Sequence, residues 1–563
     1  MLERLFLNNI HDLFNEKKFD EIILKINTNN HFLQNYPDLY NIRAVSRILK
    51  LNKNKTDIIS ALKDFENYFS YSKDNEKKIE AVCNFIATCV ANSQKYDDIV
   101  VYFKDGEDLF KKCQNHVGYN EKLFKSGVDL YKYLLDLDKA KKLLKELIKN
   151  KTKSKVVYCA LGYLNNYDYD WDQKKYFEYS KKSINFFSKY KLKKINEINY
   201  SENKKIKIGF ISKDFTSNHS ITWLIKNVLL NLDKNNFESY GISLTDDAFL
   251  NGSSLELKNN FNKWLNFSKF TNIEIISKLQ DQKIEILVDL MGLFHPDRIE
   301  IFNSRVAPVQ ISWVGYPNTV GFSNIDYLIS DKNLIKNNED KYYSEKIIKM
   351  SNIWNCHSGF QIKRQFIDAP YKKNKYFTFG SFNNFLKISD EVIEVWSKIL
   401  KKVNNSKLIL KSSLNVNKDI ILKKFENCGV ENSIRFFKKQ EGLEDHLKYY
   451  KEIDIALDTF PYNGVVTTFE SLWSGVPVIG MRGFHMNSRC GESILKNGNL
   501  EFLISKNKID YIEKVLLYTK NPDKLDNLRL NIYKNILNTP LFDAKKFTRD
   551  FENKLLEVYN KSK

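Results

Sequence analysis

The residues of this chain that could do chemistry gather where short apolar runs give way to polar loops. His219 closes the stretch FTSNH, just after the run KIGFIS. A histidine between a strand and a helix can act as acid or base near neutral pH, or can simply cap the helix. Asn383, Asn384 and Lys387 occupy SFNNFLKIS, again past an apolar run. A lysine there could hold the negative charge that develops on a departing diphosphate. In so lysine-rich a chain, position alone does not separate that role from a solvated side chain. His446, in EGLEDHLKYY, could contact a nucleotide base or ribose, or could be a half-buried helix histidine. The last set lies within Asp454–Leu495: the run IDIALD ends in Asp458, a Pro/Asn/Gly turn follows, and a helix-like segment opens through Val465, Val466, Thr467 and Thr468. Unpaired N–H groups and the positive end of a helix dipole suit a phosphate at that point. Glu470 could accept hydrogen bonds from ribose hydroxyls, although an acid is favoured in any first helical turn.

The elements that must position these residues read as two alternating sets. Lys207–Ser212, the run from Phe237, Ile284–Gly292, Val309–Gly315 and Ile325–Asp331 are strand-like, and helical segments separate them. After YKKNK near Tyr371, taken as a linker, the same alternation resumes through Phe377–Phe382, Ser406–Ser412, Ser433–Lys438, IDIALD and PVIGM. Apolar runs alternating with helices predict parallel sheets covered on both faces, with ligands outside the carboxyl ends of the strands. Asp543–Lys563 reads as an amphipathic helix able to pack back across the pair. From the start to about residue 195 the spacing is helical: Leu39, Ala44, Ile48 and Leu51 fit one face, and Ala61, Leu62, Phe65 and Phe69 another. Short segments near Ala61, Val100, Ala140 and Ser180 recur at roughly 40-residue intervals, as helical-hairpin repeats of tetratricopeptide type would. An irregular helical domain is the alternative. The polar passage Tyr190–Lys205 makes a domain boundary.

Composition narrows the classes of function. The 563 residues exceed one ordinary domain, and 42% hydrophobic content supplies material for cores. The formal charge of +20 is spread along the chain, which reads as a compositional bias and not as a nucleic-acid footprint. Seven cysteines without a C-x-x-C pair, several of them (Cys83, Cys89, Cys159) in apolar helical context, fit reduced thiols in a cytoplasmic protein. The N-terminal stretch carries acids among its apolar residues and reads as no secretory signal, and no apolar run reaches the length of a membrane span. Walker, G-x-G-x-x-G, G-x-S-x-G and HExxH signatures are absent. D-x-D triplets, Asp136–Asp138 and Asp168–Asp170 among them, fall in the helical region, so a metal held against a diphosphate is not expected.

Taken together, KIGFISKDFTSNH, IFNSRVAPVQISWVGYPNTVG, YYSEKIIKM, FGSFNNFLKIS, EDHLKYYKEIDIALDTFPYNGVVTTFESLWSGVPVIGM and SRCGESIL resemble, in order and over about residues 204 to 520, the catalytic region of the protein O-GlcNAc transferase/SPINDLY family. The resemblance implies an α/β fold of GT-B type. Its parts would be an all-α, tetratricopeptide-like region over 1–195, a Rossmann-like acceptor-side domain over 204–370 and a Rossmann-like donor-side domain over 371–563. It implies an inverting, metal-independent transfer to Ser or Thr hydroxyls of a protein held by the helical region, with no cofactor beyond a nucleotide-sugar co-substrate, UDP-GlcNAc by default. Lys387 then matches the lysine on the donor diphosphate, His446 the histidine near the nucleotide, and Thr467 and Thr468 the phosphate-binding run. Glu470 matches the ribose-binding acid, and His219 the histidine proposed as base; Asn383 and Asn384 flank the donor. Two departures accompany the match. Val465 and Val466 interrupt the Thr run, and the G-H-T usual after the DL strand is replaced by Gly292–Leu293–Phe294, with His295 displaced two positions. They leave other readings open: GDP-fucose as donor, as in the SPINDLY branch, a glycan acceptor, or a nucleotide-binding repeat scaffold without turnover. No nucleic-acid partner and no membrane span are expected.

Overall fold

The structure is a computed structural model that describes residues 2–190, 205–216, 219–357, 359–360, 362–411, 418–437 and 443–563. It divides into two compact units, one built on Met1–Lys153 and the other on Ser154–Lys411 and Lys424–Lys563. The expected boundary between 195 and 204 lies outside the described residues; the division into compact units falls earlier, after Lys153.

The first unit is helical throughout its described residues. Its helices start where short polar side chains satisfy the free N–H groups of a first turn. Asn54 and Asp57 exchange side-chain and backbone bonds ahead of the helix Lys55–Tyr71, and Asp74, Asn120 and Asp136 cap the helices at Asn75, Glu121 and Leu137. Successive helices pack on one another: Asp38–Leu49 on Lys55–Tyr71, that helix on Asn75–Asn92, and Glu121–Tyr133 on Leu137–Lys149. Ile10, Leu13, Ile22, Ile26, Leu39 and Tyr40 form one of their cores. Leu51, expected on the buried face with Leu39, Ala44 and Ile48, is 99% exposed because its helix stops at Leu49.

The second unit holds two all-parallel sheets. The first contains β1 (Ile206–Ser212), β2 (Phe237–Ser243), β3 (Lys263–Asn266), β4 (Ile286–Asp289), β5 (Val309–Ser312), β6 (Tyr327–Asp331) and β7 (Lys346–Met350), in the order β3-β2-β1-β4-β5-β6-β7. The second contains β8 (Thr378–Ser381), β9 (Lys407–Leu410), β10 (Ile434–Phe436), β11 (Ile455–Leu457), β12 (Val478–Met481) and β13 (Ile504–Ser505), in the order β10-β9-β8-β11-β12-β13. In each sheet the chain winds outward from one strand, returns, and winds the other way. The switch points lie between β1 and β4 and between β8 and β11, where the loops leaving adjacent strands diverge and open a crevice.

Helices Lys155–Leu164 and Gln173–Phe187, at the start of this unit, bring Cys159 and Phe187 into the core of the first sheet. The final helix, Ala544–Ser562, returns to that sheet and packs on the helix Ser220–Asn231, on β5 and on β7, as its amphipathic pattern predicts. Tyr371–Asn374, read as a linker, is a helical turn whose Tyr371 N–H donates to Asp454 at 3.0 Å. Among the described residues no helix is long and apolar enough to cross a membrane.

Candidate active site

At the switch point of the second sheet, the loop after β8 and the loop after β11 are tied together by a buried carboxylate. Asp458, the residue after β11, accepts through Oδ1 from the N–H of Gly464 at 2.7 Å, from its neighbour Thr459 at 2.9 Å and from Asn383 Nδ2 at 3.4 Å. These bonds curl Thr459–Gly464 into a tight turn, which contains a cis Phe460–Pro461 peptide. Burial raises the Asp458 carboxyl to about 7, against the opposing effects of the Gly464 N–H and the Lys387 charge. Asn383 Oδ1 accepts from Thr467 Oγ1 at 3.2 Å, so the asparagine bridges the two loops.

Helix Val466–Trp473 starts directly past this turn without a side-chain cap. Val465 has no side-chain oxygen to offer; its carbonyl accepts from the Thr468 and Phe469 N–H groups at 3.1 Å, which leaves the Val466 and Thr467 N–H groups to a ligand or solvent. Thr468 turns its hydroxyl back to the Gly464 carbonyl at 3.1 Å, while Thr467 is only half-buried. Lys387, in the turn after β8, reaches the same place. Its Nζ donates to the Asn463 carbonyl at 2.8 Å and lies 4.2 Å from the centre of the Tyr462 ring. Burial lowers its pKa to about 8, with the Asp458 charge opposing. Asn384 Oδ1 accepts from the Leu386 N–H at 3.0 Å and shapes the Lys387 turn.

The remaining donor-side candidates form a relay. Lys411, just past β9, bonds His446 Nδ1 at 2.5 Å, and His446 Nε2 bonds Glu470 Oε2 at 3.0 Å. A lysine only donates, so the neutral histidine carries its proton on Nε2 and gives it to Glu470. Tyr450 donates to the same Glu470 oxygen at 2.8 Å. Burial pushes the Glu470 carboxyl up, but the electrostatic attraction and hydrogen bond of the His446 ring and the Tyr450 hydroxyl outweigh it, leaving the group below the usual carboxylate range.

His219 sits elsewhere, at the switch point of the first sheet. It is the N-cap of Ser220–Asn231, accepting from the Ile221 N–H through Nδ1 at 3.4 Å, and its Nε2 lies 4.0 Å from Asp214 Oδ1. Burial lowers its pKa; Asp214 opposes that shift and His295 adds to it. His295 comes from the loop after β4, which Asp289 shapes by accepting from the Met291 and Gly292 N–H groups at 2.8 and 3.3 Å. Its Nε2 lies 3.0 Å from both oxygens of Asp214. Burial raises the Asp214 pKa, and the His295 bond and neighbouring positive charges more than reverse that.

A line of rings joins the two switch points. Phe294 meets the Tyr163 ring at 5.0 Å between centroids, the Tyr163 and Tyr167 hydroxyls are bonded, and the Tyr167 ring meets that of Tyr462 at 4.8 Å, with Lys387 Nζ 4.2 Å from the Tyr462 ring centre. Thus Asn383, Asn384, Lys387, His446, Thr467, Thr468 and Glu470 gather around one crevice, whereas His219 belongs to the other. Asp214, Lys411, Tyr450 and Tyr462 were not singled out from sequence. Asp214 carried a faint signal as an acid two residues past a strand, but the others are partnered across distant strands and loops.

The chain is similar to several known proteins. Its residues 175–362 and 362–551 match glycosyl transferase family 41. It is 32% identical over 362 residues to a probable UDP-N-acetylglucosamine–peptide N-acetylglucosaminyltransferase SPINDLY of Solanum lycopersicum, covering 62% of this chain and 38% of that protein. The Arabidopsis thaliana protein of the same description is 29% identical over 369 residues, covering 64% of this chain and 40% of its own length. The matched part of this chain therefore spans well under half of these curated relatives. A mutant of Thermobaculum terrenum O-GlcNAc transferase superposes with a TM-score of 0.77 at 20% identity, over 90% of this chain and 95% of that one. The paired sheets behind a helical region thus have the GT-B arrangement, and with two thirds of its residues matched, the chain belongs to glycosyl transferase family 41.

Proposed function

We propose that the chain is an inverting glycosyltransferase that moves a sugar from a nucleoside diphosphate to Ser or Thr hydroxyls of proteins, with UDP-GlcNAc as the donor. The observation that carries this reading is the second switch point. A lysine ammonium, an uncapped helix start and a carboxylate held by histidine and tyrosine converge there, which suits diphosphate and ribose at once. Lys387 and the helix N-terminus meet the charge that leaves with the diphosphate, so the reaction as proposed needs no metal and no further cofactor. Thr467 faces the phosphates, Asn383 and Asn384 hold the loops around them, and the acceptor proton is taken at the first switch point by a histidine beside Asp214. The names of the tomato and Arabidopsis relatives support GlcNAc and a peptide acceptor. The helical unit presents the acceptor. All seven cysteines are free thiols and six are buried, which supports a cytoplasmic setting. The valines at the helix start keep GDP-fucose as the second donor to test.

Purified protein is incubated with UDP-GlcNAc, GDP-fucose or UDP-glucose and a protein acceptor mixture, and products are read by mass. Addition of N-acetylhexosamine to Ser or Thr is expected. Folded protein that consumes none of the three donors overturns the reading; labelled glycans without labelled polypeptide redirect it to a glycan acceptor.

A further inference from the structure

His219 and His295 share one carboxylate, and hydrogen-bond chemistry fixes what each ring can do. Asp214 is ionised and can only accept, so His295 Nε2, 3.0 Å from both of its oxygens, must carry a proton. In the neutral ring the lone pair is then on Nδ1, which has no hydrogen-bond partner among the described residues; the side chain is 21% exposed. His219 is wired the other way. Its Nδ1 accepts the Ile221 N–H, so its lone pair is already used to cap Ser220–Asn231 and its proton sits on Nε2, facing Asp214 across 4.0 Å. Taking a second proton at Nδ1 breaks the cap.

We infer that the Asp214–His295 pair, and not His219, is the general base of the reaction proposed above, with Asp214 as the positioning residue and His295 as the catalytic one. The inference rests on that reading. The arrangement follows the logic of a carboxylate that orients an imidazole by holding one ring nitrogen and leaves the other to accept. The acceptor O–H gives its proton to His295 Nδ1, and the oxygen forms a bond to the anomeric carbon. The bond from that carbon to the diphosphate oxygen breaks, and its electron pair leaves with the nucleoside diphosphate. The proton then passes from His295 to solvent. His219 contributes by capping the helix beside Asp214. Lys213 and Asp297, paired at 3.0 Å, and Asp289 at the end of β4 complete the charged surroundings.

His295→Gln and His219→Gln are compared with the unsubstituted full chain, using nucleotide affinity and thermal unfolding as controls for folding. Expected for His295→Gln is a fall in kcat of about a hundredfold or more, loss of the acidic limb of the kcat profile and an unchanged donor KM. His219→Gln, which keeps an acceptor for the Ile221 N–H, retains at least a third of the turnover. In parallel, nitrogen NMR of histidine-labelled protein should show His295 protonated on Nε2 and bare on Nδ1 at high pH, a signature that Asp214→Asn alters. The pair is overturned if His295→Gln turns over normally while His219→Gln fails, or if the spectrum places the His295 proton on Nδ1. If the unsubstituted protein transfers no sugar, the broader reading falls, and the catalytic role of His295 falls with it.

Discussion

Lys387 works close to the limit of its charge. Burial beneath the turn that carries Tyr462 lowers its pKa to about 8, although Asp458 pulls the other way. Only the ammonium form, present below that pKa, can hold a developing diphosphate charge. For the free protein, kcat/KM should therefore fall as pH rises through about 8. Lys387→Arg should move this alkaline limb to higher pH, because a guanidinium stays charged. Lys387→Met should abolish the limb and lower kcat by about a hundredfold to a thousandfold, the cost of removing one preorganised partner of a transition-state charge. Initial rates between about pH 6 and pH 10 provide the check, and a profile flat to pH 10 would remove the lysine from that role. The types of side chain at this site were legible because phosphate, ribose and a proton each demand particular groups. Their wiring was not. That His219 spends its lone pair on a helix cap, while the displaced His295 takes Asp214, depends on two loops from different strands, and no spacing along the chain records it.

At the level of elements, ten strands were legible, and the three that were not (β3, β7 and β13) all lie at sheet edges. A central parallel strand is covered on both faces and becomes an apolar run, whereas an edge strand faces solvent and keeps polar side chains. KWLN of β3 has no fully buried residue, and β13 is two residues long. The join between a helix and the start of β11, at the other end of that strand from the donor site, was also hidden, because its partners are backbone carbonyls. Arg529, on the helix Pro522–Asn535, is 2% exposed and donates to the carbonyls of Ile453, Asp454 and Ile367 at 3.1, 2.9 and 3.3 Å. It also faces Asp454, whose carboxyl burial raises to about 6. Arg529→Met should strand those acceptors and the Asp454 charge at the entrance to β11, costing about 3 kcal/mol. Urea unfolding measures this directly. A loss below about 0.5 kcal/mol, the range of an ordinary surface substitution, would mean that the carbonyls find other donors.

Across the second unit as a whole, the two sheets are fastened on several sides of the proposed crevice. Arg489 donates to the Leu334 carbonyl at 3.1 Å and to Glu339 Oε1 at 2.9 Å, Ser493 bonds Asp331 at 2.6 Å, and Tyr462 lies against Tyr167. The final helix adds an apolar fastening. Phe551 is fully buried, with its ring 4.8 Å from that of Trp313, whose indole N–H donates to the Trp354 carbonyl at 2.8 Å. On either side of Phe551, Asp550 accepts from the Ser351 N–H at 2.7 Å and Glu552 from the Asp233 N–H at 2.6 Å. A nucleotide held on the second sheet stabilises every segment that opens together with it, by about 2.7 kcal/mol at a hundred times its Kd. With the halves coupled, UDP or GDP should slow amide exchange in β4 and β5 as well as in β11 and β12. Phe551→Ala leaves a cavity beside Trp313 and costs about 3–5 kcal/mol, all of it on the first-sheet side of the fastening. In that variant nucleotide should still protect β11 and β12, while β4 and β5 exchange at a rate indifferent to it. If β4 and β5 ignore nucleotide in the unsubstituted protein too, the sheets open independently, and the fastenings between them hold less than their geometry implies.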